Sequence, residues 1–461
     1  MSRGLTRRWP APLDRRPGRT MQWTCFAGAL VVFVLLLFAR HGPNPAEVDA
    51  SAITESTTAI SHGHLGQAVQ ATTIIPNPPG YPLLTAPLVV VLRPVVGAAR
   101  WCSDKPLPPT LRGTGQAYFE SIIGPCSGPW ATSESRARPH WFHSQAVLGI
   151  LAWIVLAAGA VALLRAGGAG RTWAEPLLVL LLALVPAASD AITQSFHPQD
   201  MASVGFACFG LASVMRGRIA GAGALFAVAF LCKQFALLPM IAAVVALPSW
   251  RGRARLLLPF AGVLAATLLP FEVANPSQFP HTLSGVYEIG AGIVHSPTLV
   301  GLLTIGEQLK LDLARDLPVG AALVLAVAAR WRWRTHMGSP VALIGLALAC
   351  LSLRLVFEVA LLDYYFLAVA VFFLLLDLAS RRLPVLSIGW IGLSRFALVP
   401  AATHLPTWLT AMLFAGLAVS ATVAGLAAVA ASATEATAPD MRPPPGSRPI
   451  TSGGITTQGS V

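Results

Sequence analysis

The feature that most constrains this chain is a series of apolar blocks, each roughly 15 to 20 residues long, about the length of a helix that crosses the hydrocarbon core of a bilayer. Of the 461 residues, 55% are hydrophobic and 11% are charged, whereas about 25% are charged in an ordinary soluble domain. The pattern predicts an all-α, polytopic membrane protein and argues against a soluble enzyme.

The apolar blocks predict about twelve membrane helices. They lie at 23–39, 145–164, 176–190, 201–215, 219–232, 235–249, 256–274, 313–329, 340–357, 364–379, 384–402 and 408–431. The first block follows six arginines and lacks a small-residue cleavage site after it, so it is predicted to be an uncleaved signal-anchor helix. A further apolar segment, 83–99, contains Pro87, Arg93 and Pro94 and is predicted to lie at the membrane interface without spanning.

The short loops between these blocks carry most of the arginines, and this distribution predicts the topology. With 83–99 outside the membrane core, the loops around 165–171, 216–218, 251–255, 330–334 and 381–382 all fall on one side, which the positive-inside rule makes cytoplasmic. Nine of the ten histidines then fall on the opposite side. The net charge of +12 is explained by topology and anionic inner-leaflet lipid, and no nucleic-acid partner is needed.

The chain divides into three regions. The chain is predicted to be a cell-membrane protein. Residues 1–21 form a basic cytoplasmic N-terminus, residues 22–432 form a membrane-embedded region, and residues 433–461 form a disordered cytoplasmic tail. The first extracytoplasmic loop, 40–144, is far longer than a helix connection requires, which is typical of a functional segment. It contains Cys102 and Cys126, which could form a disulfide. No Cys or His spacing typical of a metal site occurs, so neither a metal nor another cofactor is predicted.

Two short motifs shape this loop. Asn44-Pro45-Ala46-Glu47 is typical of a helix start. The following apolar residues recur at helical spacing and predict a helix along the membrane surface, with Asp49 and Glu55 on its other faces; they are Val48, Ala52, Ile53, Ala59 and Ile60. The second motif, Asn77-Pro78-Pro79-Gly80-Tyr81-Pro82, is rich in proline and turns the chain back toward the membrane.

Taken together, these features resemble the GT-C class of polyprenyl-phosphate-sugar-dependent glycosyltransferases, and in particular glycosyltransferase family 87, the actinobacterial mannosyltransferase-like group. The resemblance covers roughly residues 22 to 380 and rests on an early acid, the proline-rich stretch and two later motifs. These are Phe196-His197-Pro198-Gln199-Asp200, which opens a helix with Gly205 and Gly210, and Lys233-Gln234-Phe235-Ala236-Leu237-Leu238. Some GT-C relatives have two adjacent acids, whereas Ala50 follows Asp49 here, which argues against a divalent metal.

The resemblance implies an inverting transfer of a sugar, most simply mannose, from a polyprenyl-phosphate donor to an envelope lipid or glycan acceptor. Asp49 maps onto the catalytic base, which removes the proton of the acceptor hydroxyl, and Glu55 is the second choice. Cations at the membrane boundary would stabilise the departing phosphate. Lys233 and Arg354 are placed for this, and His197 is a further donor. Tyr81, Asp200, Glu358, Tyr364 and Tyr365 complete the predicted substrate-binding residues.

Each of these residues also has a purely structural interpretation. Asp49 fits a solvated position on an amphipathic helix, and His197 to Asp200 fits a helix start with a favourable N-terminal acid. Lys233 fits a side chain that snorkels to the interface. Arg354 and Glu358 fit a helical ion pair, and Tyr364 and Tyr365 fit the interfacial aromatic belt.

Two other classes of function remain open at this stage. A secondary transporter or lipid-linked glycan flippase would have as many helices, but it should show two similar halves with interrupted helices in matching positions. No such repeat is evident in the sequence. A non-catalytic membrane scaffold would leave the clustering of histidines on the outer side without a purpose.

Overall fold

The computed structural model describes residues 17–39, 53, 56, 57, 59–73, 78–96, 138–169, 172–193, 196–280, 298–334, 337–358, 363–398 and 405–437. Helices dominate this part of the chain, which contains no β-strand, so the predicted all-α class is confirmed. In chain order, the first helices are α1 (Arg19–Ala39), α2 (Leu65–Thr73), α3 (Gly80–Val96) and α4 (Arg138–Ala166).

The remaining helices follow in chain order. They are α5 (Ala174–Leu184), α6 (Pro186–Thr193), α7 (Pro198–Met215), α8 (Ile219–Cys232), α9 (Leu237–Ala246), α10 (Trp250–Ala274), α11 (Glu307–Trp333), α12 (Pro340–Phe357), α13 (Phe366–Ala379), α14 (Val385–Gly392) and α15 (Thr407–Thr437). Short 3-10 turns at Gln234–Ala236 and Asp363–Tyr365 precede α9 and α13, and a π-turn at Leu393–Leu398 follows α14.

Within the described residues, five helices are long and apolar enough to cross a membrane. They are α1, Val147–Ala166 of α4, α10, α12 and Thr407–Ala433 of α15. A sixth span results if α5 and α6, which meet at a 43° bend, are counted together. Membrane-helix character is therefore supported, but twelve full spans are not: the predicted blocks fall on helices, and several of these helices are short.

Two of these short helices, α8 and α9, lie on either side of Lys233. The 14 residues of α8 reach only about 21 Å at 1.5 Å per residue, less than the roughly 30 Å of a hydrocarbon core. The segment predicted to lie at the interface forms α3, a 17-residue helix that is not among the candidate spans.

Glycines allow the closest helix crossings. Gly159 of α4 lies against the backbone of Gly205 on α7, and Gly345 of α12 lies against Gly425 on α15. On α8, Gly223 meets the carbonyl of Leu256 on α10. Membrane helices associate through van der Waals packing, so residues without a side chain let two backbones approach closely.

These crossings show which helix ends lie together. The start of α8 packs on the start of α10 through Gly223, and the guanidinium of Arg330 near the end of α11 donates to the carbonyls of Leu247 and Pro248 at 3.0 and 3.3 Å. We call this the arginine end. At the opposite end, Gly66 packs on Ala274 of α10 and Gly80 packs on Leu231 of α8. We call this the site end.

One predicted region boundary, that of the C-terminal tail, can be compared with the structure. The last helix continues to Thr437, five residues into the predicted tail, because the alanine-rich segment there extends the helix. Asp49, Glu55, Cys102 and Cys126 lie outside the described residues.

Candidate functional site

A group of polar and aromatic side chains meets at the site end, and we call it the polar cluster. It consists of His197, Gln199, Asp200, Lys233, Arg354, Glu358, Tyr364 and Tyr365. Four segments contribute: the start of α7, the break between α8 and α9, the end of α12 and the turn before α13. All of the sequence-predicted site residues in these segments are thus brought together.

The start of α7 has an unusual backbone. Phe196 is completely buried and has φ of +44°, a left-handed conformation that costs a non-glycine residue about 1 to 3 kcal/mol and is often found at functional sites. The backbone N–H of His197 donates to the carbonyl of Ala191 at 2.5 Å. Pro198 then occupies the first helical position, where its missing N–H costs nothing. The predicted helix start is confirmed.

His197 is held by its neighbours on two sides. Its ring stacks on Tyr364, with 4.2 Å between ring centroids and 17° between planes. Its Nδ1 atom lies 2.9 Å from Nε2 of Gln199 and 3.9 Å from Oδ2 of Asp200. The second distance is too long for a hydrogen bond, so His197 and Asp200 interact only electrostatically.

Asp200 is the least satisfied side chain of the cluster. It is 2% exposed, and neither of its carboxylate oxygens has a hydrogen-bond partner in the described part of the chain. It interacts electrostatically with Arg354. Asp200 lies in the first turn of α7, as the interpretation as a helix start with a favourable acid requires, and it is buried there.

Lys233 marks the predicted break in the long apolar stretch, and the break is confirmed. Its backbone is extended, with φ of −159° and ψ of 133°, between the end of α8 and the turn that leads into α9. The hydroxyl of Ser203 on α7 donates to the carbonyl of Ala229 at 2.9 Å and approaches that of Lys233 at 3.4 Å. Lys233 is only 7% exposed, so it does not snorkel to the surface.

Arg354 forms the predicted ion pair with Glu358, with 2.8 Å between Nε and Oε2. The guanidinium carbon also lies over two rings, 4.3 Å from the centroid of Tyr365 and 4.9 Å from that of Phe235. A planar guanidinium can pair and stack at the same time. Tyr364 and Tyr365 are 2% and 8% exposed, so the aromatic-belt interpretation is wrong for both: they are packed inside the protein.

Tyr81 lies next to the cluster and has a structural contact of its own. Its buried hydroxyl donates to the carbonyl of Leu148 at 3.0 Å and ties α3 to α4. It lies near the thiol of Cys232, and that thiol lies near the carboxylate of Asp200. Tyr81 therefore borders the cluster without a hydrogen bond to any of its members.

The part of the first loop that the structure describes is packed against α3. Ile53 and Ala59 are buried as predicted for an apolar face, and Ile60 is partly buried. Thr57 is completely buried as well, and its hydroxyl lies 3.4 Å from that of Thr85 on α3. The predicted surface helix therefore contacts α3 through a polar position, Thr57, in addition to its apolar face.

Sequence reasoning missed one buried ion pair. Oδ2 of Asp190 on α6 lies 3.3 Å from NH2 of Arg395 in the π-turn, and the Asp190 side chain is 1% exposed. Each of the two residues is an isolated charge inside a predicted apolar block. Such isolated charges are the feature of the sequence that indicates a buried ion pair. Arg395 also lines a small cleft beside the bend between α5 and α6, together with Pro186, Phe366 and Ser394 among others.

The donor atoms of the cluster do not form a metal site. Among the described residues, no group of three or more His, Cys, Asp or Glu side chains is close enough to hold a metal ion. The cluster instead combines two cations with two carboxylates, one of which is already paired. Such a site can bind an anionic group and hydrogen-bond donors side by side. No protein-family model and no curated protein matches this chain.

Proposed function

We propose that this protein is a membrane glycosyltransferase that transfers a sugar, mannose in the simplest case, from a polyprenyl-phosphate donor to an envelope lipid or glycan on the extracytoplasmic side. The observation that carries the proposal is the polar cluster at the end opposite the arginine loops: Arg354 interacts with the buried carboxylate of Asp200, and Lys233 lies at the helix break whose backbone Ser203 of α7 contacts. The resemblance to the GT-C class supports it.

The depth of the cluster suits a lipid-linked phosphate. If α8 starts at the inner interface, its length places Lys233 about 20 Å across the bilayer, below the outer headgroups of a core roughly 30 Å thick. The charged phosphate of a polyprenyl phosphate lies near the boundary between the hydrocarbon core and the headgroups. An ionisable side chain inside the membrane is commonly part of a substrate or ion site.

The chemistry requires positive charge at this point. As the bond between sugar and phosphate breaks, negative charge grows on the phosphate, and fixed cations stabilise it more strongly in a water-poor site than in solution. Lys233 and Arg354 supply these cations. His197 supplies a donor to the leaving oxygen, while Glu358, Tyr364 and Tyr365 hold Arg354 and His197 in position.

The proposed base is Asp49, with Glu55 as the second choice. What supports its placement is the chain that follows. Thr57 contacts Thr85 on α3, and the first turn of α3 packs on Leu231, two residues before Lys233. The segment after Asp49 is thus connected to the cluster through one helix.

The test is sugar transfer by the purified protein in lipid vesicles, with radiolabelled polyprenyl-phosphate mannose and extracted envelope lipids. Asp49→Asn should abolish transfer without loss of protein.

Lys233→Met should lower kcat by about 100-fold, the usual effect of removing one transition-state donor. Lys310→Met, at the start of α11, is the matched control and should retain activity. Full activity of Asp49→Asn would remove Asp49 as base, and full activity of Lys233→Met would remove the phosphate role.

One observation favours a second candidate, a secondary transporter or lipid-linked glycan flippase. The bend of 43° between α5 and α6 and the break at Lys233 are interrupted helices, which transporters use at their binding sites. Movement of the lipid-linked sugar across vesicle membranes without any glycosylated product would favour this function.

A further inference from the structure

We infer that Asp200 binds hydroxyl groups of the sugar that is transferred, and that it thereby determines which sugar the protein accepts. The inference rests on the proposed function, which it extends from the phosphate to the sugar. It is based on the unused hydrogen-bonding capacity of one buried carboxylate and on the charges that surround it.

Two neighbouring side chains of the cluster, Gln199 and Asp200, have unused hydrogen-bond acceptors. Both oxygens of Asp200 and Oε1 of Gln199 are buried without a hydrogen-bond partner in the described part of the chain. The nearest ring nitrogen, Nδ1 of His197, lies 3.9 Å from Asp200 and is within 2.9 Å of Gln199 Nε2. A buried carboxylate without hydrogen bonds is costly, and native proteins rarely leave such groups unsatisfied. The missing partners are donors.

The second argument concerns the charge of the missing ligand. Lys233 and Arg354 already lie in the cluster, and Asp200 interacts electrostatically with Arg354. A metal ion or an amine would add another positive charge beside these two. Neutral hydroxyl groups, by contrast, supply hydrogen bonds without charge. The acceptors of Asp200 therefore fit a polyol better than a cation.

The third argument is position. Ser203, three residues after Asp200 on α7, binds the backbone at the break that carries Lys233. Asp200 thus lies one helical turn from the contact with the Lys233 backbone, and it interacts with Arg354, so it borders both residues proposed to bind the donor phosphate. In the polyprenyl-phosphate sugar, the sugar is bonded directly to that phosphate. Its ring hydroxyls are therefore the hydrogen-bond donors nearest to Asp200.

The test uses polyprenyl-phosphate sugars that each lack one hydroxyl group, compared with the parent donor in wild type and Asp200→Asn. Hydrogen bonds to charged groups are strong, so wild type should lose about 10- to 100-fold in kcat/KM for at least one deoxy sugar. Asp200→Asn should lose a similar factor on the parent donor, mainly through KM, and should no longer discriminate against that deoxy sugar.

The matched control is Asp377→Asn. Asp377 is also a buried aspartate in an apolar helix, but its carboxylate accepts a hydrogen bond from the backbone N–H of Ser387 near the other end of α13. This variant should discriminate among the deoxy sugars as wild type does. An active Asp200→Asn variant with wild-type discrimination would overturn the inference.

A second measurement needs neither turnover nor a variant. A hydrophobic carbodiimide modifies carboxyl groups, and mass spectrometry of the wild-type protein locates the modified residue. Polyprenyl-phosphate mannose should protect Asp200 from modification, whereas polyprenyl phosphate alone should not. Equal protection by both lipids, or protection by neither, would overturn the inference.

The two experiments separate failure of the inference from failure of the proposed function. A wild-type protein that transfers no sugar overturns the glycosyltransferase function. Protection of Asp200 by the sugar-bearing lipid alone would even then support hydroxyl binding. A wild type that transfers sugar, together with an Asp200→Asn variant of unaltered selectivity, overturns the inference and leaves the function standing.

Discussion

At the scale of single residues, the cluster depends on side chains that perform two tasks at once. Arg354 pairs with Glu358 through Nε and lies over the rings of Tyr365 and Phe235. His197 stacks on Tyr364 and contacts Gln199. These contacts orient charged and polar groups that sit among apolar helices, and none of them uses the carboxylate oxygens of Asp200 as hydrogen-bond acceptors.

Arg354→Lys keeps the charge but loses the planar group that pairs and stacks. We expect kcat/KM for the donor to fall about tenfold, since one hydrogen bond to a charged group is worth about 1.5 to 3 kcal/mol. Arg354→Gln should lower it further and should also lower the melting temperature, because Glu358 then loses its partner. Transfer assays and thermal unfolding in one detergent measure both effects.

Glu358→Gln is the control for this comparison. If Arg354 acts on the donor phosphate, Glu358→Gln, which keeps the guanidinium but weakens its orientation, should raise the donor KM clearly less than Arg354→Gln does, while losing part of the stability. A wild-type donor KM in Arg354→Gln would show that the ion pair is structural only.

At the scale of helices, length and glycine position decide where the cluster lies. The helices α8 and α9, with 14 and 10 residues, are each too short to cross a bilayer alone. Gly223 lets α8 approach α10, because any Cβ at this position would run into the carbonyl of Leu256. The depth of Lys233 thus depends on a helix that is held in place by a backbone contact.

Gly223→Ala should therefore destabilise the protein by about 1 to 3 kcal/mol, the usual cost of overpacking. Gly221→Ala, two residues earlier on the same helix, meets no atom within 4 Å of its new Cβ and should leave stability unchanged or slightly higher, because alanine is the better helix former. Denaturation of both variants in the same detergent measures the difference. Equal shifts for the two would contradict the close contact of α8 with α10.

At the scale of the whole molecule, arginine-rich loops and the polar cluster occupy opposite ends of the helix bundle. The contacts of Arg330 with the residues after α9 gather the loops at one end. The contacts of Gly66 and Gly80 with α10 and α8 gather the first loop at the other. Under the positive-inside rule, we expect the arginine end to face the cytoplasm.

This orientation predicts the labelling of single cysteines in a variant without the native ones. Ser277→Cys, at an exposed position after α10, should react in intact cells with a maleimide that does not cross membranes. Gly217→Cys, at an exposed position in the loop between α7 and α8, should react only after the cells are made permeable. The reverse pattern would place the polar cluster in the cytoplasm and end the proposed function.

The features that the sequence alone determined are local ones. The apolar blocks determined the helical class, and the lysine within a long apolar stretch determined the break at Lys233. Pro198 determined the start of α7, and the spacing of Arg354 and Glu358 determined their ion pair. Each depends on neighbours along the chain, and local periodicity records such neighbours directly.

Only the tertiary structure decided which side chains meet and how many helices are long enough to span. His197 stacks on Tyr364, and Asp190 pairs with Arg395, across large separations in sequence. Tyr364 and Tyr365 pack in the protein although their sequence suits an interface. The physical reason is that lipid and protein interior are equally apolar, so hydropathy cannot distinguish a face that meets lipid from one that meets another helix.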